Sequence, residues 1–341
     1  MSAGATLRVP LGGRVLLVER RGALACLLLV LVAAGLAFLG LSRGTGWDPP
    51  GEVWAALTGD GPRSVVVTEW RAPRVVAGLV LGAALGLAGA IFQNLTRNPL
   101  GSPDVIGLDA GAYTGALLVI TVLGGSAAQL AAGSVVAGLA TAAVIYLLSI
   151  RAGFSGLRLV VIGIAVNAML TAVNAWLVLR AELDVAIVAA GWSAGSLNGL
   201  DWGEVRLPFL VLGALAVVLV GAARALHQSA LGEELAVTTG VRLGPLRLLL
   251  IAVGVGCTAT VTAVAGPIVF VALAAPQVGR RLAGAAGVPL LPAALTGAVL
   301  LSASDLIAQV LLAPVALPVG VVTTAVGGAY LIWLLLKEVK R

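Results

Sequence analysis

Charge is scarce in this chain. Asp, Glu, Lys and Arg make up 11% of its 341 residues, against about 25% in an ordinary soluble domain. Lysine is rarer still and confined to Lys337 and Lys340. A phosphate-cradling loop needs Gly-x-x-x-x-Gly-Lys-Ser/Thr ahead of a helix, and no such segment exists here. If nucleotide hydrolysis drives the work of this protein, another subunit supplies it. Histidine occurs once, at His227, and cysteine twice, at Cys26 and Cys257 in separate apolar runs. One His and two remote Cys cannot assemble a tetrahedral metal site within one chain. Each cysteine reads as a buried, inert thiol and says nothing about redox compartment. With no His cluster and no paired acidic motif, a membrane enzyme has no support.

What is abundant is apolar surface. Hydrophobic residues make up 60% of the chain and mean hydropathy is +1.09. No single soluble core could hide this much, so lipid must solvate most of it and the chain reads as a polytopic membrane protein. Val75–Thr96 is free of charge and long enough to cross a bilayer, since about 20 residues at 1.5 Å each span a hydrocarbon core of about 30 Å. Arg71-Ala-Pro-Arg74 guards one mouth of this run, and Gln93-Asn94-Leu-Thr-Arg97-Asn98-Pro99-Leu100 closes the other.

The same reasoning places helices over 22–41, 74–96, 105–123, 127–149, 159–179 and 207–223. Two more lie in 248–279, broken at Gly266-Pro267, and the last pair over 291–312 and 319–336. That makes about ten crossings. Gly124-Gly125-Ser126 divides the third helix from the fourth, and Val185–Gly195, too short to span, reads as an external helix lying on the interface. Residues 43–70 read as an external loop with Trp47 and Trp54 at the headgroup level. The retained first helix lacks the short core and cleavage site of a signal peptide. The net charge of +6 is explained by topology. Fifteen of the 21 Lys and Arg fall in the segments 1–21, 95–104, 150–158, 224–247, 280–290 and 337–341. That bias makes these segments cytoplasmic and puts both termini inside.

Several residues stand out. Arg71 and Arg74 either snorkel and pair with Glu69 or dock an acidic partner. Asn167, Thr171 and Asn174, at i, i+4 and i+7, share one face of the fifth helix and either line a pathway or bond to a neighbouring helix. Asp305 is a functional candidate as an acid within the membrane, with a structural cap near a break in the ninth helix as the other reading. Gly232-Glu233-Glu234-Leu235 in loop 224–247 reads as a solvated turn or as a contact surface for a soluble subunit. The loop looks like two short helices, Leu231–Thr238 and one starting near Leu243. Glycines four apart, Gly78, Gly82 and Gly86 and then Gly107, Gly111 and Gly115, suit close helix packing in lipid. Ala88-Gly-Ala-Ile-Phe92 has a weak likeness to Ala265-Gly-Pro-Ile-Val-Phe270, a trace of internal duplication.

Four blocks resemble one family, the permease subunits of ATP-binding-cassette importers for ferric siderophores, haem and cobalamin. They are Arg71-Ala-Pro-Arg74 with Gly89-Ala-Ile-Phe-Gln93 and Arg97-Asn98-Pro99-Leu100; Leu231-Gly-Glu-Glu-Leu-Ala236 with Thr239-Gly-Val241; Ala265-Gly266-Pro267-Ile-Val-Phe270 with Pro276; and Leu317-Pro318-Val-Gly-Val-Val-Thr323. The resemblance covers nearly all of the chain after residue 60. It implies an all-α, ten-helix importer permease fold in which 22–341 is one transmembrane domain after a cytoplasmic segment, 1–21. It also implies a second permease subunit (identical or paralogous), two ATPase subunits beneath, a substrate-binding protein above and alternating access driven by ATP.

By the same resemblance Arg71 and Arg74 meet glutamates of the binding protein, Glu233 and Glu234 seat on the ATPase, and the fifth helix lines the path with a cytoplasmic gate near Ser155–Leu159, at Ser155 and Gly156. The chain itself binds no cofactor, since ATP and Mg belong to the ATPase, and no nucleic acid is implied. Three positions depart from the family: Gln277 where His is frequent, Ala316 where many members carry a charge, and Asp109 where a small or neutral residue is usual. Trp192-Ser-Ala-Gly-Ser-Leu-Asn-Gly-Leu-Asp-Trp202 looks most like the ferric-enterobactin-type branch. The expectation is a ferric siderophore permease of the cytoplasmic membrane, with haem or cobalamin import, or a proton-coupled carrier using Asp305, as alternatives.

Overall fold

A computed structural model describes residues 6–11, 14–44, 46–59, 61–150 and 155–339. The chain opens with a hairpin, β1 (Thr6–Leu11) and β2 (Arg14–Glu19), paired antiparallel from Thr6↔Glu19 to Leu11↔Arg14. Helices follow: α1 (Arg20–Ser42), α2 (Pro50–Thr58), α3 (Ala72–Thr96), α4 (Leu108–Leu118), α5 (Ala127–Ile150), α6 (Gly156–Arg180) and α7 (Leu183–Ser193). After them come α8 (Trp202–Ala230), α9 (Glu233–Thr238), α10 (Leu243–Ala265), α11 (Val271–Ala283), α12 (Leu290–Val310) and α13 (Val319–Val339). A π-helical stretch, Val66–Arg71, leads into α3, and a second, Val119–Leu123, extends α4. Among the described residues seven helices are long and apolar enough to span a bilayer, with Leu108–Leu123, Leu183–Ser193 and Val319–Tyr330 as shorter apolar ones. The ten expected crossings all appear as helices.

The segment 1–21 holds the hairpin, about which the sequence reading made no statement. Two expectations need correction. The segment 43–70, expected as a loop, contains α2, which begins with Pro50 at its first turn, where a missing N–H costs nothing. Residues 224–230 belong to α8, not to a loop: the helix starts at Trp202, capped by Asp201 accepting from the Glu204 N–H at 2.9 Å, and runs past Arg206 and Arg224 to Ala230.

The centre of the bundle is α3 against α12, α10 and α11. The glycine stripe of α3 makes this possible. A methyl group at Gly82 or Gly86 would overlap the carbonyl oxygen of Gly297 or Ala293 on α12, so only hydrogen lets the two backbones meet. In lipid, such close packing substitutes for the hydrophobic drive that water would provide. Leu81, Leu85 and Ile91 of α3 are fully buried with Leu250 of α10 and Leu301 of α12. Gly111 and Gly115 do the same for α4 against Thr141 and Gly133 of α5. By contrast α6 and α8 are mostly exposed on this single chain.

The break between α10 and α11 lies where expected. Gly266 takes φ 70° with ψ −178°, a conformation open in practice to glycine alone, and its α-carbon sits against the Trp192 carbonyl. Ser196 N–H donates to the Ala265 carbonyl at 2.7 Å, and Gly320 N–H to that of Gly195 at 3.0 Å. The α7–α8 connection therefore roofs both this break and the start of α13, which Pro318 immediately precedes.

Candidate functional site

At the end of the bundle where α3 begins, Arg71 and Arg74 both point at carboxylates of their own chain. Arg71 Nη1 donates to Asp48 Oδ2 at 2.6 Å and to the Leu41 carbonyl at 2.8 Å. Arg63 pairs with the other oxygen of Asp48 and lies 3.4 Å from Glu52. The hydrogen bond from Arg71 holds the Asp48 carboxyl below its ordinary range; burial opposes this and Arg63 reinforces it. Arg74 grips Asp305 with two nitrogens, Nε at 3.0 Å from Oδ2 and Nη2 at 2.8 Å from Oδ1, while Gln309 Nε2 donates to Oδ2 at 2.8 Å. This fork-on-carboxylate geometry is the strongest form of ion pair.

Neither arginine pairs with Glu69, which is exposed. Nor does Asp305 cap a break: it lies inside the continuous α12 as the counter-ion of Arg74. An acid so engaged is not a free proton carrier. The two arginine side chains keep 15% and 17% of their surface exposed, so an approaching partner reaches only an edge of each.

Polar groups of the inner helices tie the bundle together. Asn174 accepts from Thr114 Oγ1 at 2.7 Å and donates to the Ala110 carbonyl at 3.1 Å, joining α6 to α4. Of its two readings, these bonds match the one in which it fastens neighbouring helices. Asn167 lies against Gly107 at the start of α4, and Thr171 is exposed. Gln93 donates to the Leu273 carbonyl at 3.0 Å and accepts from Gln277 Nε2 at 2.5 Å, all buried. The unusual Gln277 is thus half of an amide pair between α3 and α11. Asn98 Oδ1 accepts from the Leu100 N–H at 2.9 Å, shaping the turn that begins with exposed Pro99.

Two acids sit where the chain re-enters the bundle. Asp109 is 8% exposed, with Thr262 donating to its Oδ1 at 3.2 Å. Asp104 Oδ2 accepts from the Phe270 N–H at 3.0 Å, ahead of α11, where Phe270 holds a left-handed φ of 70°. Sequence reading noticed Asp109 only as a departure from pattern and passed over Asp104. The usable signal was an acid inside an otherwise apolar span.

At the opposite end, Ser155 and Gly156 begin α6, and Gly156 packs directly on the Thr96 backbone where α3 stops. Beside it sits α9. Glu233 Oε1 is 2.6 Å from Arg247 of α10 and 4.0 Å from Arg97. Gly232 precedes α9 with φ 134°, Glu234 is exposed, and Leu235 is 58% exposed.

Comparison with known proteins gives this arrangement a context. The chain is 46% identical to the ferric enterobactin transport system permease protein FepG of Escherichia coli (strain K12), over 95% of this chain and 99% of that one. It is 34% identical to the Fe(3+) dicitrate transport system permease protein FecD of the same strain, over 91% and 97%. With the Fe(3+)-citrate import system permease protein YfmE of Bacillus subtilis (strain 168) it shares 34% over 95% and 98%. A solved structure, described as an inward-facing conformation of a metal-chelate type ABC transporter, superposes with a TM-score of 0.81 at 26% identity, covering 92% of this chain and 99% of that one. The model of the FecCD transport family matches residues 27–337. This chain belongs to the FecCD transport family.

Proposed function

We propose that this chain is the permease subunit of an ATP-driven importer that carries a ferric siderophore across the cytoplasmic membrane by alternating access. The observation that carries the reading is 46% identity to a ferric enterobactin permease over nearly the full length of both proteins. Other relatives named for iron citrate point to the same class of cargo, a large ferric chelate. Two copies of this chain, or this chain with a paralogue, would enclose the path, with the exposed face of α6 around Thr171 turned toward it.

Hydrolysis resides on a pair of ATPase subunits, since the chain offers no phosphate loop of its own. They would seat on α9, with Ser155 and Gly156 gating the inner mouth and both termini on the same cytoplasmic side. A binding protein would settle on the external end organised by Arg71 and Arg74, where the exposed edges of the two arginines can be shared with its carboxylates. Complementary charge there sets orientation and on-rate more than affinity.

The testing experiment is purification of the chain with the products of neighbouring genes, followed by uptake of a panel of ferric siderophores. An ATPase and a binding protein should co-purify, and at least one ferric chelate should accumulate. Accumulation of haem or cobalamin alone would replace the siderophore reading with another branch of the family.

A further inference from the structure

The six residues of α9 are too few to hold a helix by themselves, so something must fix them to the bundle. Its own Ala236 is fully buried, and the Val241 N–H donates to the Ala236 carbonyl at 2.9 Å. A further tie is Glu233. Its Oε1 lies 2.6 Å from Arg247, in the first turns of α10, and 4.0 Å from Arg97, the residue that ends α3. Arg97 also donates to the Ser229 carbonyl at the end of α8, at 3.4 Å. One carboxylate oxygen thus ties α9 to the ends of α3, α8 and α10. Its neighbours face the other way: Glu234 is exposed, and Leu231, Leu235 and Val237 are 65%, 58% and 57% exposed.

We infer that Glu233 is a positioning residue, acting through Arg247 and Arg97 to set the angle of α9, while Glu234 and Leu235 are the side chains that meet the ATPase subunit. This rests on the reading of α9 as the coupling segment and divides labour within it. Glu233 and Arg97 are half exposed, so the contact adds little to folding. What it fixes is how a push on α9 reaches α3, whose far end is clamped to α12 by Arg74 and Asp305.

The test uses the complete complex in proteoliposomes and reads two quantities, affinity of the ATPase subunits for the permease and chelate moved per ATP hydrolysed. For Glu233→Gln, ATPase affinity should stay within about twofold of wild type while transport per ATP falls about two- to fivefold, the range set by a half-exposed ion pair. Glu234→Lys should instead weaken ATPase affinity. In a background carrying Arg97→Gln and Arg247→Gln, Glu233→Gln should have no further effect, because groups that act through one another are not additive. Loss of ATPase affinity in Glu233→Gln equal to that in Glu234→Lys, or an additive effect in the arginine-free background, overturns the inference. The two single variants decide the matter if that background fails to assemble. A wild-type permease that binds no ATPase would overturn the functional reading as well, which sets that failure apart from a failure confined to Glu233.

Discussion

Arg74 and Asp305 are 231 residues apart in the chain and 2.8 Å apart in space. Spacing along the sequence marked each as notable and could not join them, because a contact of that range is a property of the fold. With the Asp305 side chain 7% exposed, breaking the pair leaves an arginine without its counter-ion. Asp305→Asn should destabilise the protein by about 3 kcal/mol, read as a fall of the thermal midpoint in detergent. The joint change Arg74→Met with Asp305→Leu should recover most of that loss, since an apolar pair needs no counter-charge. Asp48 gives a pH test. Its carboxyl is held below the ordinary value by Arg71, so its stabilisation is complete above about pH 4, the unfolded carboxylate value, and fades as pH falls through the lower folded value. Protease cleavage in the 43–65 region should therefore set in only under strong acid, and Arg71→Gln should move the onset to higher pH. Asn167 and Asn174 show how far spacing can be read. They lie seven residues apart on α6 and face Gly107 and Thr114, also seven apart, on the side of α4. The shared stripe was legible; that α4 covers it at those two levels and leaves Thr171 exposed was not.

Whole helices were far easier to read than their ends. Uncharged apolar runs located the helices, and glycines located the breaks at Gly124-Gly125 and Gly266-Pro267, because lipid tolerates few alternatives to a helix. The same criterion cut α8 short at Arg206 and Arg224, although a helix that leaves the bilayer need not end there. It also overlooked α2 and the hairpin, which owe nothing to lipid; the Gly12-Gly13 pair between apolar runs was the hairpin signal available. The glycine stripe of α3 belongs to this scale. Gly86→Val would push a branched side chain into the Ala293 carbonyl on α12. We expect it to cost more than Asp305→Asn and to abolish accumulation of folded protein in the membrane, measured as yield of monodisperse permease by size exclusion. A conservative change at an exposed position of the same helix length, such as Val161→Leu on α6, should leave yield unchanged.

For the molecule as a whole, the two ends carry different chemistry on one shared rod. At one end a fork of arginine on aspartate locks α3 to α12; at the other, α3 ends in Arg97 beside the short α9. The account places the engine on another chain. The direct measurement is accumulation of a ferric siderophore in proteoliposomes containing this permease, its permease partner where there is one, the ATPase and the binding protein. The account predicts accumulation that stops when ATP is withheld and persists when a protonophore collapses the proton gradient. Accumulation by the permease alone, driven by a proton gradient without ATP, would contradict it.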